Sequence, residues 1–227
     1  MNVITFASRK GGAGKSTLTA HLAACAHAAG RRCLAIDADP QGSLALWHAL
    51  RKDGEPPLQT AAKGIDRVLA FAEIEGYQWV FIDTAPTMWV VVQEAIRAAT
   101  LVVIPSRPGF FDLNAVRETV AVARERNRPY CVVLNAAPVK RDEKETRTLA
   151  QSRGFLERHG IPVWSGQISQ RAGLALTLAA GASACEIEPD SAGAAEVAGL
   201  WSAIERSVEA IHAMHAAAAR KGQGQAA

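Results

Sequence analysis

The sequence predicts a three-layer α/β domain in which helices cover both faces of a mostly parallel central sheet. Short apolar runs alternate with longer helical patterns along the chain, as expected when each parallel strand needs a helical crossover to reach the next. The first run leads into a glycine-rich turn, and two later runs end at Asp37 and Asp83. Because the carboxyl ends of parallel strands share one edge of the sheet, these features predict a ligand site at that edge.

The predicted strands are apolar runs too short to be buried helices. Two of them end in an aspartate that would be delivered to the sheet edge, and a continuous apolar run is typical of a strand covered on both faces. The strands are expected over residues 3–7, 33–37, 58–61, 79–83, 101–105, 130–135 and 161–164.

The predicted helices begin and end at residues that favour a helix boundary. Gly30 ends the first helix, and the breaker cluster at 52–57 follows the second. Residues 188–191 cap the last helix, whose apolar side chains recur at i, i+3, i+4 and i+7. The helices are expected over residues 16–29, 43–51, 65–74, 87–98, 113–127, 140–159, 169–181 and 192–219.

The composition describes one ordinary globular domain. Of the 227 residues, 49% are hydrophobic and 21% are charged, and the net charge is +3; this excludes a disordered chain and does not by itself imply a polyanionic partner. We expect one domain over 1–219 and a disordered tail over 220–227. Apolar runs are too short for a membrane span and no signal peptide is visible, so we expect a cytoplasmic protein. The four scattered cysteines are expected to be buried free thiols.

The most informative motif is the glycine-rich turn at residues 8–17, Ser-Arg-Lys-Gly-Gly-Ala-Gly-Lys-Ser-Thr. Its glycines let backbone N–H groups approach an anion, and the following helix directs its positive end to the same place. This pattern predicts a phosphate-binding loop; the alternative is a glycine-rich turn without a ligand. The residues expected to bind nucleotide phosphates are Gly11, Gly12, Ala13, Gly14, Lys15, Ser16 and Thr17.

Two lysines distinguish this loop. Lys15 is placed to reach the β- and γ-phosphates, and the hydroxyl of Ser16 is placed to bind Mg²⁺. Where the standard loop has a glycine, this chain has Arg9, and Lys10 follows it. Two lysines on one tight loop cannot both follow the same phosphate edge, so Lys10 is free to reach a phosphate bound by another subunit.

This loop resembles the deviant phosphate loop K-G-G-x-G-K-[ST] of the ParA/MinD family of dimerising ATPases. Residues 37–42 (Asp-Ala-Asp-Pro-Gln-Gly) and 83–86 (Asp-Thr-Ala-Pro) are similar to the family's second motif and its Walker B position. The resemblance implies an enzyme that hydrolyses ATP with Mg²⁺ and forms a homodimer around two nucleotides. In the ParA branch, that dimer binds duplex DNA without sequence preference, and a partner protein stimulates hydrolysis.

The aspartates at the strand ends are the candidates for metal and water chemistry. One aspartate beside a phosphate loop can orient an attacking water, and a second can support the hydration shell of a metal. The resemblance assigns hydrolysis to Asp37, with Lys10 and Lys15, and the metal site to Asp83, Asp39 and Ser16. The alternatives are a capping role for Asp37, a turn-opening role for Asp39 and a structural role for Asp83.

A polar strand end and several basic residues carry further expectations. Asn135 falls where the family reads the adenine edge, although an asparagine there is also common as a turn residue. Between residues 124 and 158 there are nine basic and five acidic side chains, a local net charge of +4, which also suits a solvated helix face. The DNA-contact candidates are Arg171, by resemblance, and Arg147, Arg153 and Arg158 on the charged helix.

Several features choose among branches of the family. The chain shows no helix-turn-helix extension before the phosphate loop, and residues 216–227 offer no Leu, Phe or Trp for a membrane. It therefore resembles the small ParA type, which positions plasmids, chromosomes or protein assemblies on the nucleoid. One departure is that Ala192 follows Ser191, where the family commonly has a basic residue. The alternative is a MinD-like or metabolic P-loop ATPase acting on a membrane, a protein or a small molecule.

Overall fold

A six-stranded parallel sheet forms the centre of the protein, for which a computed structural model describes residues 1–140 and 144–224. Its strands are β1 (Asn2–Phe6), β2 (Cys33–Ala38), β3 (Leu58–Thr60), β4 (Trp79–Thr84), β5 (Leu101–Ser106) and β6 (Tyr130–Leu134). The order across the sheet is β3-β2-β4-β1-β5-β6, and each neighbouring pair is parallel. This arrangement confirms the predicted fold class.

Helices cover both faces of the sheet. In chain order they are α1 (Lys15–Ala28), α2 (Ser43–Ala49), α3 (Ile65–Ile74), α4 (Trp89–Ala98), α5 (Phe110–Glu125), α6 (Arg147–Arg158), α7 (Ala172–Ala179), α8 (Ala184–Ile187) and α9 (Ala192–Gly224). One layer contains α1, α2, α7, α8 and α9, and the other contains α3, α4, α5 and α6. The protein therefore has the three layers that the sequence predicts.

The central strands are buried on both sides, which explains their continuous apolar sequence. In β4, Trp79 and Phe81 face the layer of α1 and α9, whereas Val80 and Ile82 face the layer of α3 and α4. The ring of Trp201 from α9 lies 4.8 Å from that of Trp79 and 5.9 Å from that of Phe81. Successive side chains of a strand point to opposite faces, so one apolar run supplies two cores.

The register of three strands defines the functional edge. Asp83 of β4 pairs with Phe6 of β1 on one side and with Asp37 of β2 on the other. The glycine-rich turn leaves β1 shortly after Phe6. The turn and the two aspartates therefore meet at the carboxyl edge of the sheet, as the sequence predicts.

Some elements differ from the sequence prediction. Residues 161–164 contribute an isolated bridge between Val132 and Val163 rather than a strand, because Pro162 has no N–H to extend the ladder. The charged helix begins at Arg147 instead of residue 140, since Thr146 is extended; residues 141–143 lie outside the described part. The one-turn helix α8 was not predicted, and it begins with a capping box formed with Glu186.

The last helix is longer than predicted. It runs to Gly224, so residues 220–224, for which the sequence predicted disorder, are helical, while 225–227 lie outside the described residues. The alanine-rich run at 216–219 has high helix propensity and carries the helix past residue 219. Within residues 1–140 and 144–224, no helix combines the length and apolar character needed to span a bilayer. All four cysteines are free thiols, and Cys25 and Cys33 are buried while the other two are half-buried.

Candidate functional site

The glycine-rich turn forms an open loop that ends at the amino terminus of α1. Gly12 and Gly14 have positive φ angles of 71° and 97°, which glycine adopts without the strain of a side chain. Gly11, the remaining glycine of the loop, does not have a positive φ angle. The first hydrogen bond of α1 runs from the N–H of Leu18 to the carbonyl of Gly14. The N–H groups of the first turn therefore remain available to an anion at the loop.

Asn135 lies directly against this loop. Its side-chain Nδ2 donates a hydrogen bond of 2.7 Å to the carbonyl of Ala13, and a Cβ at Gly14 would overlap the same nitrogen. The backbone N–H of Asn135 donates to the carbonyl of Ser106 at the end of β5. Asn135 thus ties β5, β6 and the phosphate loop together. The sequence predicted contact with an adenine edge, and that role stays a prediction.

The two lysines of the loop occupy different environments. Lys15 is 6% exposed, and its burial lowers the pKa of its ammonium group, while the nearby carboxylates of Asp83 and Asp39 oppose that shift. Lys10 is exposed, and its backbone N–H lies 3.4 Å from the hydroxyl oxygen of Ser8. One lysine faces the interior of the site and the other faces outward. Ser16 and Thr17, next to Lys15, are half-buried.

Asp37 is held by backbone groups on two sides. Its Oδ1 accepts a hydrogen bond of 3.0 Å from the N–H of Asp39, and its Oδ2 accepts one of 2.9 Å from the N–H of Ala45 in the first turn of α2. Burial raises the pKa of the Asp37 carboxyl, whereas these N–H donors oppose the shift. Asp39 accepts a hydrogen bond from the N–H of Gln41. The capping and turn roles considered for the two aspartates are therefore present, and both leave the carboxylates firmly oriented.

Asp83 is the most unusual group in the site. Its side chain is 0% exposed, and neither carboxylate oxygen makes a hydrogen bond to a described residue. Burial raises the pKa of Asp83 to about 7; the charges of Asp37 and Asp39 add to the shift, and the adjacent Ser16 hydroxyl and Lys15 oppose it. A buried carboxylate without a partner is costly. A divalent cation bound to this carboxylate would supply the positive charge and the partner that its two oxygens lack.

The donor set suits Mg²⁺ better than a metal held by protein alone. Among the described residues, no group of three or more His, Cys, Asp or Glu side chains is arranged to hold a metal ion. Magnesium usually keeps several waters and uses one or two protein ligands together with phosphate oxygens. The combination of Asp83, Ser16 and the phosphate loop fits that requirement, because these residues are close neighbours at one edge.

Sequence reasoning missed how the two arginines near the loop are used. Arg9 forms an ion pair of 3.1 Å with Glu118 of α5, and its guanidinium lies 4.4 Å from the ring centroid of Trp89 in α4. Nη2 of Arg107, which follows β5, lies 3.8 Å from where a Cβ of Gly12 would be. The position of Arg107 after a strand that neighbours β1 was the available signal, since such residues reach the same sheet edge.

The four candidate DNA-binding arginines are not equivalent. Arg153 pairs with Glu145 at 2.8 Å and donates to the carbonyl of Gly166, and Arg171 pairs with Glu196 at 3.2 Å. These two guanidinium groups already have partners within the domain. The other two side chains, on α6, are exposed: Arg147 and Arg158.

Together, the glycine-rich loop between β1 and α1 and the acidic ends of β2 and β4 define a P-loop nucleotide-binding protein. The chain belongs to the CobQ/CobB/MinD/ParA nucleotide binding domain family, whose sequence model matches residues 4–183. This membership confirms the resemblance to ParA and MinD drawn from the motifs.

Known relatives and a solved structure agree with this assignment. The chain is 38% identical over 120 residues to the maintenance of carboxysome distribution protein A of Gloeobacter kilaueensis, covering 52% of this chain and 55% of that one. It is 29% identical over 161 residues to the chromosome partitioning protein ParA of Caulobacter vibrioides, covering 52% of this chain and 60% of the relative. The matches thus span little more than half of each relative. The ATP complex of a Cyanothece McdA variant superposes with a TM-score of 0.69 at 17% identity, covering 92% and 96% of the chains, which supports the fold.

Proposed function

We propose that this protein is a Mg²⁺-dependent ATPase of the ParA/MinD type that dimerises on ATP, binds duplex DNA as that dimer and positions a cargo on the nucleoid. The observation that carries the proposal is the pairing of Asp37 with Asp83 in register beside a phosphate loop that contains Lys15. A buried ammonium group and two carboxylates therefore lie beside the loop that would bind the phosphates. The cargo classes are a plasmid, a chromosome or a protein assembly.

Each residue of the site has a role that follows from its surroundings. Lys15, buried and desolvated, would bind the β- and γ-phosphates, and the free N–H groups of the loop and α1 would bind the remaining oxygens. Asp83 and Ser16 would hold Mg²⁺, with Asp39 supporting its waters. When bound, Mg²⁺ would neutralise part of the phosphate charge. Asp37 would orient the attacking water, because its carboxylate is fixed by two backbone N–H groups.

The exposed position of Lys10 supports dimerisation on ATP. A lysine that faces outward from the phosphate loop can contribute to a nucleotide held by a second copy, as its spacing from Lys15 predicted. The relatives named for chromosome partitioning and carboxysome distribution support a positioning function. From the resemblance to the ParA branch, we expect a cytoplasmic, nucleoid-associated protein whose hydrolysis is stimulated by a partner protein. DNA as the landing surface is supported by the family and by the basic character of α6.

Size-exclusion chromatography with a non-hydrolysable ATP analogue and Mg²⁺ tests the proposal. The parent protein should shift from monomer to dimer with the analogue and remain a monomer with ADP. Lys15→Ala should lose nucleotide binding and therefore the dimer. Lys10→Ala should retain much of the binding but stay monomeric, because only the contact across the subunits is removed.

The matched control is Lys63→Ala, which removes an exposed lysine from the turn after β3 and should dimerise normally. A normal dimer in Lys10→Ala would reject the role of Lys10 across the interface. A parent protein that binds no ATP would reject the function as a whole. Normal dimers that show no binding to duplex DNA by fluorescence anisotropy would instead favour a protein or membrane as the landing surface.

A further inference from the structure

The turn after β5 brings an additional cation to the phosphate loop. Nη2 of Arg107 lies 3.8 Å from the position that a Cβ of Gly12 would occupy, although Arg107 and Gly12 are far apart in sequence. We propose that Arg107 is a further phosphate-binding residue of the site, contacting the phosphate chain of the bound nucleotide over Gly12. This inference rests on the proposed function, because it presupposes that ATP binds at the loop.

The backbone of Arg107 is fixed relative to the loop. Its carbonyl accepts hydrogen bonds from the Ser106 hydroxyl at 3.0 Å and from the N–H of Gly109 at 2.8 Å. The N–H of Asn135 donates to the carbonyl of Ser106, and the Asn135 side chain donates to Ala13. A short chain of hydrogen bonds therefore connects the turn to the phosphate loop. The guanidinium is exposed, but it extends from an anchored position.

The arginine within the loop itself is committed elsewhere. The guanidinium of Arg9 is held between Glu118, at 3.1 Å, and the ring of Trp89, at 4.4 Å. That interaction directs Arg9 towards α4 and α5. In residues 1–140 and 144–224, by contrast, Arg107 forms no ion pair. The guanidinium over Gly12 is therefore available to an incoming ligand.

The charge balance of the site gives Arg107 a clear electrostatic role. Asp37, Asp39 and Asp83 meet at the same edge as the phosphates, and a triphosphate adds further negative charge. If Lys10 faces a second copy, Lys15 is left as the lysine of the loop that serves its own nucleotide. An arginine presents a planar set of N–H donors that matches phosphate oxygens, and hydrogen bonds of this charged kind are stronger than neutral ones.

The test measures binding of a fluorescent ATP analogue with Mg²⁺, and its displacement by inorganic tripolyphosphate, which carries phosphates without a base. Arg107→Gln should weaken the affinity for both ligands by about tenfold or more, as expected for a lost charged hydrogen bond. Arg107→Lys should recover part of this loss, because lysine keeps the positive charge but lacks the planar set of N–H donors. Arg117→Gln removes an exposed arginine from α5 and should leave both affinities within about twofold of the parent.

The outcomes separate this inference from the proposed function. Unchanged affinities in Arg107→Gln, with normal ATP binding by the parent protein, would overturn the role of Arg107 alone. Weaker binding of the ATP analogue with unchanged binding of tripolyphosphate would also overturn it, because the lost contact would not be to phosphate. No ATP binding by the parent would overturn the proposed function first. Thermal unfolding of each apo variant, expected to match the parent, verifies that folding is intact.

Discussion

The side-chain amide of Asn135 donates a hydrogen bond of 2.7 Å to the carbonyl of Ala13. These residues lie on β6's carboxyl end and in the phosphate loop, far apart in sequence. The contact is buried, and it holds the loop in the conformation that leaves the N–H groups of α1 free. Preorganisation of this kind lowers the cost of ordering a loop when a ligand binds.

Asn135→Ala should therefore weaken both the fold and the site. Its removal leaves the buried carbonyl of Ala13 without this donor, which costs about 1–3 kcal/mol of unfolding free energy. We expect ATP affinity to fall as well, because the loop loses the hydrogen bond that holds its conformation. Thermal unfolding and calorimetric titration with a non-hydrolysable analogue measure the two effects. Asn114→Ala, an exposed position on α5, is the control and should change neither; an Asn135→Ala protein with parental stability and affinity would contradict the bracing role.

The contrast between Asn135 and Asp83 shows what the sequence could predict. Asp83 ends an apolar run, so strand position alone brought it to the correct edge beside Asp37. The hydrogen bond from Asn135 to Ala13, and the pairing of Arg171 with Glu196, depend on approach in space between segments with no shared pattern. The same reason applies to Arg153, whose side chain is tied to Glu145. Periodicity identifies elements and strand ends, but it does not reveal which long polar side chains become partners.

The buried carboxylate of Asp83 makes the nucleotide-free protein less stable as the pH rises. Its pKa is about 7 in the folded state, against the ordinary value of 3.8. The folded state therefore holds an extra proton between those values, and stability falls as the pH rises through this window. Asp83→Asn removes the charge, so its stability relative to the parent should rise by roughly 3 kcal/mol between pH 5 and pH 8.

Urea unfolding at the two pH values measures this difference. The control variant is Asp66→Asn, which removes an exposed carboxylate that pairs with Arg97. Its difference in stability from the parent should change much less between the two pH values. Mg²⁺ with the ATP analogue should raise the unfolding temperature of the parent, whereas the Mg²⁺-dependent part of that increase should vanish in Asp83→Asn. A variant less stable than the parent at pH 8 would show that the Asp83 charge is compensated in the apo protein.

His21 gives the opposite dependence on pH. It is fully buried in α1; one ring nitrogen lies 3.1 Å from the Leu174 carbonyl, and the other accepts the N–H of Ala184. Burial lowers its pKa to about 4 from 6.5. The unfolded state therefore binds a proton at a higher pH than the folded state does. The stabilisation from neutral, buried His21 is complete above about pH 6.5, and about 3 kcal/mol of it is lost as the pH falls towards 4.

His21→Gln isolates the pH dependence caused by His21 from that caused by Asp83, which lowers the stability as the pH rises over the same range. The variant should be less stable than the parent at pH 7, because two tertiary hydrogen bonds are altered, and the difference should shrink steadily between pH 6.5 and pH 4.5. His215→Gln, exposed near the end of α9, is the control and should show no such trend. A difference that stays constant across this range would mean that His21 is not the titrating group.

The exposed arginines of α6 should contribute more to DNA binding than those held in ion pairs. Arg147 and Arg158 are eleven residues apart, so at 3.6 residues per turn they lie within roughly 20° of each other on one helix face. Both are exposed, whereas Arg153 and Arg171 are paired with Glu145 and Glu196. Releasing a paired guanidinium to a phosphate would leave its partner carboxylate beside DNA, which opposes binding.

The double variant Arg147→Ala/Arg158→Ala should therefore weaken DNA binding about tenfold at low salt, on unrelated duplexes alike. The slope of log affinity against log salt concentration should become shallower by about 0.9 for each lost phosphate contact. Arg171→Ala should have a smaller effect. Fluorescence anisotropy of the ATP-analogue dimer on two unrelated duplexes, at several salt concentrations, measures both quantities. The control Lys63→Ala/Arg67→Ala removes the same charge from exposed positions near β3 and α3, at the opposite end of the layer from α6. Equal losses in the double variant and this control would indicate a response to net charge, and the α6 face would then have no special part in binding DNA.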